Sequence, residues 1–362
     1  MKLTINSQDL SKALQIVTPA VGKNPVLPIL EDILMRTTDE GIELIGTDLE
    51  VFIRATVPCK VLVGGSITIP AKLVLDMVKK LPNQELMFHF NGKTSITSAF
   101  GKYEVQSGEC ADFPKFKEIE DAKTTKLPAS VLIEGIEATL FTVSNDDLRP
   151  AMCGVYFDSN GSSTSMVATD AHVLARYSFE SNLDSSVIIP SKALNLIKSS
   201  FETDVDIIVS YSATHATFEQ DGITISVRLV DARFPDYKQV IPSGYTNKAT
   251  VNKKSLINCL KRVMLFANST TSQVTFSFTE GSLKISSFDL DFENAGSETF
   301  ECEHNLEEDF KIGFNGRFVV TALGKTSGSD IEIHFGANSR PAMIYGEGGN
   351  HEILIMPVMI QS

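Results

Sequence analysis

The chain has 362 residues with a formal net charge of −13, and hydrophobic residues make up 43% of it and charged residues 21%. This length predicts two or three domains, and the composition excludes wholesale disorder and collagen-like or low-complexity chains. The longest apolar run, 353–360, is far short of a membrane span, and the N-terminal segment MKLTINSQDL has no signal-peptide core.

The five cysteines lie far apart and form no CxxC pair. This pattern predicts reduced thiols in the cytoplasm and argues against a metal site. No phosphate-binding glycine loop, HExxH or GxSxG motif is present, so no cofactor is expected. The acidic net charge by itself disfavours a general nucleic-acid binder.

Internal repeats are the main signal in this sequence. The turns GTDLEV, ATDAHV and SFDLDF contain Asp48, Asp170 and Asp289, which are 122 and 119 residues apart. Phe-Pro, Phe-Pro and Met-Pro steps end at Pro114, Pro235 and Pro357, 121 and 122 residues apart. We therefore predict three copies of one unit, over residues 1–121, 122–247 and 248–362, with boundaries in the polar stretches 115–126 and 243–250.

Each copy shows the same order of predicted elements. A short strand leads to an amphipathic helix, with Leu10, Leu14, Val17 and Val21 on its apolar face in the first copy. Strands such as GIELIGTD follow, then a second helix that Pro70 or Pro190 opens in its first turn, then further strands such as ELMFHF. The predicted helices are 8–23, 71–81, 129–149, 191–199, 253–266 and 316–326. The expected fold class is α+β, with a sheet on one side and helices on the other in each of three tandem copies.

Positive charge concentrates in these helices. Together they carry a net charge of +8, which leaves −21 for the remainder, although 129–149 is itself net −3. Lysine is a good helix former, so solvated helix faces are one interpretation. A ring with a basic lining and an acidic exterior is the other.

Candidate sites are few. Asp170 and His172 have the residue types of an acid–base pair, but the equivalent turns lack histidine, which favours a carboxylate that caps backbone N–H groups. The cysteines are typical of small core residues. The C-terminal run EILIMPVMIQS stays apolar almost to its end, which favours a docking surface for apolar peptides over a merely adhesive tail.

The segments MKLTI, VLPIL, LIGTDLEV, TIPAK, ADFP, VATDAH, LVDARFPDY, GFN and IMP occur in this order along the whole chain. Together they resemble the bacterial sliding clamp family, the beta subunit of the replicative DNA polymerase III. The resemblance implies three domains of the DNA clamp fold, with two chains closing head to tail into a ring around duplex DNA. It implies no enzymatic activity and no cofactor; the ring tethers the replicative polymerase alpha subunit, the clamp loader, and other repair and replication proteins.

The resemblance also implies site residues. A pocket for partner peptides between the second and third domains corresponds to Met152, Thr169, His172, Leu174, Pro235, Val240, Asn315, Phe318, Leu354 and Met356. This sequence departs from the family at Ala171, Val173, Gln239 and Thr271. Lys23, Arg149 and Lys198 are expected to face DNA, and Tyr103, Arg262, Leu265, Phe266, Asp291 and Glu293 to form the dimer interface.

Two other classes of protein stay open as alternatives. A repeat-built enzyme would have only Asp170 and His172 as a catalytic pair. A monomeric acidic module that mimics DNA would explain the net charge but not the basic helices.

Overall fold

The computed structural model describes residues 1–22, 27–108, 110–116, 119 and 122–360. Within these ranges it has six α-helices, and each starts within one residue of a predicted start. They are α1 (Ser7–Val17), α2 (Ala71–Val78), α3 (Ala129–Thr139), α4 (Ser191–Ser200), α5 (Lys253–Val263) and α6 (Gly316–Leu323). No helix in these ranges is long and apolar enough to cross a membrane.

Strands make up most of the remaining regular structure. In the first copy they are β1 (Lys2–Asn6), β2 (Asp32–Thr37), β3 (Gly41–Thr47), β4 (Val51–Pro58), β5 (Lys60–Val63), β6 (Ser66–Pro70), β7 (Glu85–Phe90), β8 (Thr94–Thr97) and β9 (Lys102–Val105). In the second copy they are β10 (Lys123–Pro128), β11 (Gly154–Ser159), β12 (Ser163–Thr169), β13 (Val173–Glu180), β14 (Val187–Pro190), β15 (Asp206–Tyr211), β16 (His215–Gln220) and β17 (Ile223–Arg228). The last set is β18 (Asn247–Asn252), β19 (Gln273–Thr279), β20 (Ser282–Asp289), β21 (Asn294–Glu301), β22 (Glu303–His304), β23 (Phe310–Asn315), β24 (Asp330–Phe335), β25 (Ala342–Tyr345) and β26 (His351–Ile355).

The described strands form four sheets, and two of these sheets join strands of different copies. The orders are β5-β1-β7-β8-β9, β10-β15-β16-β17-β4-β3-β2-β6, β14-β11-β12-β13-β26-β25-β24-β18-β22 and β21-β20-β19-β23. The eight-stranded sheet pairs β17 with β4, and the nine-stranded sheet pairs β13 with β26, both antiparallel. The chain accordingly packs as two compact units, 1–133 with 189–230 and 134–188 with 231–362. The second copy is therefore shared between them.

The helix starts follow from their capping residues. The side chain of Asn6 accepts hydrogen bonds from the backbone N–H groups of Gln8 and Asp9 at 2.8 and 3.4 Å, and Leu10 and Leu14 of α1 are fully buried. Asn252 and Asn315 cap α5 and α6 in the same way. Pro70 and Pro190 occupy the N-cap position of α2 and α4 with extended backbone, one residue before the first turn that the sequence predicts for them.

The predicted helix 129–149 is wrong in its second half. The α-helix ends at Thr139 and a 3-10 turn, Leu140–Thr142, follows. The Thr139 hydroxyl donates to the Gly135 carbonyl at 2.7 Å, and the Thr142 hydroxyl to the Thr139 carbonyl at 2.8 Å, so side chains bind carbonyls at the helix end. Asp146, Asp147 and Arg149 consequently lie beyond α3, and two of its acidic charges do not belong to a helix.

Candidate functional site

The aspartate turns of the first two copies are built alike. Asp48 accepts from the backbone N–H groups of Glu50 and Val51 at 3.1 and 2.9 Å. Asp170 accepts from those of His172 and Val173, both at 2.8 Å. The prediction of a capping carboxylate is confirmed. With its oxygen engaged by two amides, Asp170 serves to shape the turn, and acid–base pairing with His172 finds no support in these contacts.

This turn forces an unusual backbone at its second residue. Leu49 and Ala171 have φ values of +80° and +77°, the left-handed region that favours glycine. The hydroxyls of Thr47 and Thr169 accept from the N–H groups of these residues at 2.9 and 3.1 Å. The two turns therefore share the same hydrogen bonds and the same backbone conformation at their second residue.

Beyond each turn, the chain pairs with a strand of the next copy through the same hydrogen bond. The Met356 N–H donates to the His172 carbonyl at 2.9 Å, and the Arg228 N–H donates to the Glu50 carbonyl at 3.0 Å. We call the place where β4 meets β17 the first junction and the place where β13 meets β26 the second junction. They are equivalent positions of the repeat, so Met356 corresponds to Arg228, and the predicted correspondence of Met356-Pro357 with the Phe-Pro step at Pro235 is wrong.

The side chains at the two junctions differ in character. Leu174 lies opposite Leu354 at the second junction, and the His172 ring stacks on Phe318 with 5.8 Å between centroids and an interplanar angle of 20°. Met356 is 38% exposed beside them. The positions of His172, Leu174, Phe318, Leu354 and Met356 are held at the first junction by Glu50, Phe52, Ala193, Ser226 and Arg228. An ion pair between Lys192 and Asp48 adds further charge there. Phe318 and Met356 therefore keep apolar surface accessible at the second junction, whereas the exposed charged residues Glu50 and Arg228 flank the half-buried Phe52 at the first.

The remaining predicted pocket residues belong to the same compact unit. Met152 and Thr169 are buried, and Asn315 caps α6 by accepting from the Arg317 N–H at 3.0 Å. Pro235 and Val240 are exposed at the two ends of a 3-10 turn, Tyr237–Gln239. Three of the positions that depart from the family also lie in this unit. Val173 is buried. The side-chain amide of Gln239 donates to the Asp236 carboxylate at 2.8 Å, and the backbone N–H of Thr271 donates to the Asn268 side chain at 3.3 Å.

That turn is held to β11 by one carboxylate. Asp158 accepts from the Tyr237 hydroxyl and from the Lys238 ammonium, each at 2.7 Å. Burial acts to raise the pKa of Asp158, but these hydrogen bonds outweigh it and leave the pKa lowered. Val240 is thereby fixed at the turn's end.

The structure describes two of the three candidate DNA-contacting residues. Lys23 lies outside the described residues. Arg149 is exposed and its Nε donates to Asp146 at 2.8 Å, while Lys198 is exposed on α4. Helix α5 carries four basic residues and no acidic one, so the predicted basic character of the helices holds best in the third copy. Helix α3 keeps Glu134 and Glu137 and stays the exception.

The candidate dimer residues lie at open sheet edges. Tyr103 is on β9, an edge strand of the five-stranded sheet, and β21 is an edge strand of the four-stranded sheet. Leu265 is 81% exposed, and Phe266, 43% exposed, lies against Gly296 of β21. Arg262 forms a two-pronged ion pair with Glu298 of β21, at 2.7 and 2.6 Å, a partner that sequence reasoning missed.

Sequence reasoning also missed a group of exposed apolar side chains beside this edge. Phe288, Leu290 and Phe292 are 52%, 59% and 75% exposed around the β20–β21 turn. Asp291 there accepts from Asn268 at 3.0 Å, and Glu293 has a φ of +55°. The sequence carried a signal for this group, because the turn after Asp289 is longer and more apolar than the turns at Asp48 and Asp170.

Comparison with known proteins agrees with this architecture. Family models of the DNA polymerase III beta subunit match the chain as its N-terminal domain over 1–117, its central domain over 126–236 and its C-terminal domain over 238–359. The beta sliding clamps of Synechocystis sp. and Haemophilus influenzae are both 27% identical, over 99% of this chain and all of theirs. The crystal structures of DnaN sliding clamps from Pseudomonas aeruginosa and Bartonella birtlesii, both bound to griselimycin, superpose with TM-scores of 0.95 at 25% and 27% identity, over 99% of this chain and 100% of theirs.

Three tandem domains with these sheets and few helices define the DNA clamp fold. Family models together span nearly the whole chain, so the chain belongs to the DNA polymerase III beta subunit family. It is a sliding clamp, a processivity factor for DNA polymerase in replication.

Proposed function

We propose that two copies of this chain close head to tail into a ring around duplex DNA in the cytoplasm, and that the ring has no catalytic role. Residues 1–121, 122–247 and 248–362 form its three domains in each chain. The second junction binds peptides of the replicative polymerase alpha subunit, the clamp loader and other replication and repair proteins. The observation that carries this proposal is the contrast between the two junctions.

The contrast acts as an internal comparison. Both junctions have the same strand pairing and the same turn, so backbone geometry alone does not distinguish them. Phe318 and Met356 offer an apolar surface with a flexible methionine beside the buried Leu174–Leu354 pair, which suits exchangeable peptides. Glu50 and Arg228 at the first junction would have to lose water to bind the same peptide. Burying one leucine side chain of a bound peptide at the second junction contributes about 1.5–3 kcal/mol to the free energy of binding, before the costs of association are subtracted.

Ring closure is supported by the open edges. Within the part of the chain that the structure describes, β9 and β21 have no strand on their outer side, and such unpaired edges are templates for pairing with another chain. Leu265 and Phe266 supply apolar anchors beside β21, whereas Arg262, Asp291 and Glu293 are exposed charges of small energetic value. A dimer in which β9 of one chain meets β21 of the other has two equivalent joints and closes on itself.

Topological linkage reconciles DNA binding with the acidic charge. A ring that encloses DNA needs no tight phosphate contact, and weak contacts from basic helices such as α4 and α5 carry no sequence preference. An acidic exterior limits binding of DNA outside the ring.

Retention on nicked circular DNA tests the proposal. Clamp loaded by the clamp loader should elute with the circle in gel filtration and should be released once a restriction enzyme linearises it, because a ring slides off free ends. Release that does not depend on linearisation, or retention on both forms, would contradict encirclement. Fluorescence titration of a polymerase-derived peptide tests the second junction separately.

A further inference from the structure

A cavity of about 660 Å³ lies in the first copy, between the face of β2–β4 and the segment 110–116. Leu34, Ile45 and Arg54 are neighbours across the three strands and form its floor. Phe113 and Phe116 line its other side. The volume falls within the range of small-molecule sites, roughly 300–1,000 Å³.

The second copy shows what fills this space elsewhere in the molecule. Tyr156, Val167 and Arg176 form the equivalent row across β11–β13. The Tyr156 ring stacks on Phe234 at 4.8 Å and 12°, and meets Tyr237 edge-on at 6.4 Å. Leu34 stands in the first copy where Tyr156 stands in the second, so one aromatic ring is missing from the stack.

The charge lining the cavity is also distinctive. Arg36 and Arg54 share the single carboxylate of Glu43, with the Arg36 Nε at 3.0 Å and the Arg54 Nη1 at 3.8 Å. The Arg54 guanidinium carbon lies 5.0 Å from the centre of the Phe116 ring, and exposed Lys115 also lines the cavity. The equivalent of Arg36 in the second copy is acidic, Asp158. Positive charge is therefore in excess here, in a chain whose net charge is −13.

We propose that this cavity binds a small aromatic carboxylate. The ring takes the place that the Tyr156 ring has in the second copy, against Leu34 and the two phenylalanines. The carboxylate is held by Arg36 and Arg54, whose planar guanidinium groups have N–H donors in excess of what Glu43 accepts. This site lies in a different compact unit from the second junction and does not depend on the function proposed above.

The full chain allows a clean binding assay, because it contains no tryptophan. Indole-3-acetate is the probe, and its fluorescence is followed as protein is added. We expect saturable binding, about tenfold weaker binding of neutral indole-3-acetamide, and still weaker binding of cationic tryptamine. A linear, unsaturable response, or equal affinity for all three probes, would overturn the proposal.

Two variants locate the site. Leu34→Phe places a ring where the second copy has one, so the folded protein should keep or gain thermal stability while it loses probe binding. Arg36→Gln should weaken binding of indole-3-acetate about tenfold and leave that of the acetamide unchanged. Arg228→Gln, which removes an exposed cation outside the cavity, is the control and should bind as the unmodified chain does. Unchanged binding in Leu34→Phe would place the probe elsewhere and refute the assignment.

Discussion

Met356 and Arg228 make the same backbone hydrogen bond at two equivalent positions, yet one side chain is apolar and the other charged. Single residues on a repeated backbone thus determine which junction has an accessible apolar side chain, and we propose that a partner peptide binds there. Because the backbone is shared, a substitution at one position has a natural control at the other.

Met356→Asp should abolish binding of a polymerase-derived peptide, because it introduces an unpaired carboxylate beside Leu174 and Phe318. The measurement is calorimetric titration, with gel filtration of the same sample to verify the dimer. Arg228→Asp is the matched control and should keep full affinity. Full affinity in Met356→Asp would remove the peptide site from the second junction.

Ala171 stores backbone strain, since its φ of +77° costs a non-glycine residue about 1–2 kcal/mol. Ala171→Gly should raise the free energy of unfolding by about 0.5–1 kcal/mol after the greater entropy of unfolded glycine is subtracted. Leu49→Gly, with φ +80°, should behave similarly in denaturant titrations. Ala267→Gly, at φ −87°, should instead destabilise the protein. A loss of stability in Ala171→Gly would mean that this strain is absent.

At the scale of elements, apolar periodicity with Pro70 and Pro190 was sufficient to predict where helices start, because such signals are local. The Asn252 cap of α5 is a further local signal that the sequence prediction did not use. Helix ends were less predictable. Apolar residues continue past Thr139 into a 3-10 turn, so periodicity alone did not show that α3 had ended.

The sequence pattern could not predict which strands of different copies pair with each other. The β4–β17 and β13–β26 pairs join strands about 170–180 residues apart, and the alternation of apolar residues gives no information on which distant strand is the neighbour. The peptide-site residues were therefore named from family resemblance, whereas their assembly across a shared sheet, and the stacking of His172 on Phe318, became visible only in the fold.

His351 connects β26 to α3, since its Nε2 lies 3.0 Å from the Ala138 carbonyl oxygen. Burial lowers its pKa, and the Ala138 hydrogen bond and nearby Glu134 only partly oppose this. The unfolded chain, with an ordinary histidine pKa near 6.5, then takes up the proton first, so stability should fall as the pH drops below that value. His351→Gln keeps an amide donor but does not titrate. Between about pH 7.5 and about pH 5.5, the melting temperature of this variant should decline less than that of the unmodified chain. An equal decline in both proteins would contradict a role for His351 in this pH dependence.

At the scale of the whole molecule, dimerisation should depend on two exposed apolar residues. The double substitution Leu265→Ala with Phe266→Ala should give folded monomers, because buried apolar anchors dominate interfaces. Sedimentation at nanomolar protein measures this. Leu62→Ala with Val63→Ala, an exposed apolar pair on the opposite edge strand β5, is the control and should remain dimeric. A dimer of unchanged mass in the first variant would place the interface elsewhere.

DNA contact should be weak, additive and insensitive to sequence. Arg149→Glu with Lys198→Glu should shorten retention on circular DNA. It should also reduce the slope of the logarithm of the binding constant against the logarithm of the salt concentration by about one for each phosphate that the protein no longer neutralises. Lys284→Glu with Lys311→Glu changes the charge equally on the face of the four-stranded sheet opposite α5, and should have little effect. Equally shortened retention in both variants would mean that net charge alone, and no particular surface, governs retention.

The interleaving of the two compact units has a consequence for synthesis on the ribosome. Residues 134–188 emerge before β26, the strand of the third copy that β13 pairs with. Until β26 has been synthesised, β13 has an unpaired edge, and unpaired edges invite association with other nascent chains. A chain that terminates before β26 would therefore leave both the nine-stranded sheet and the apolar surface at the second junction unfinished.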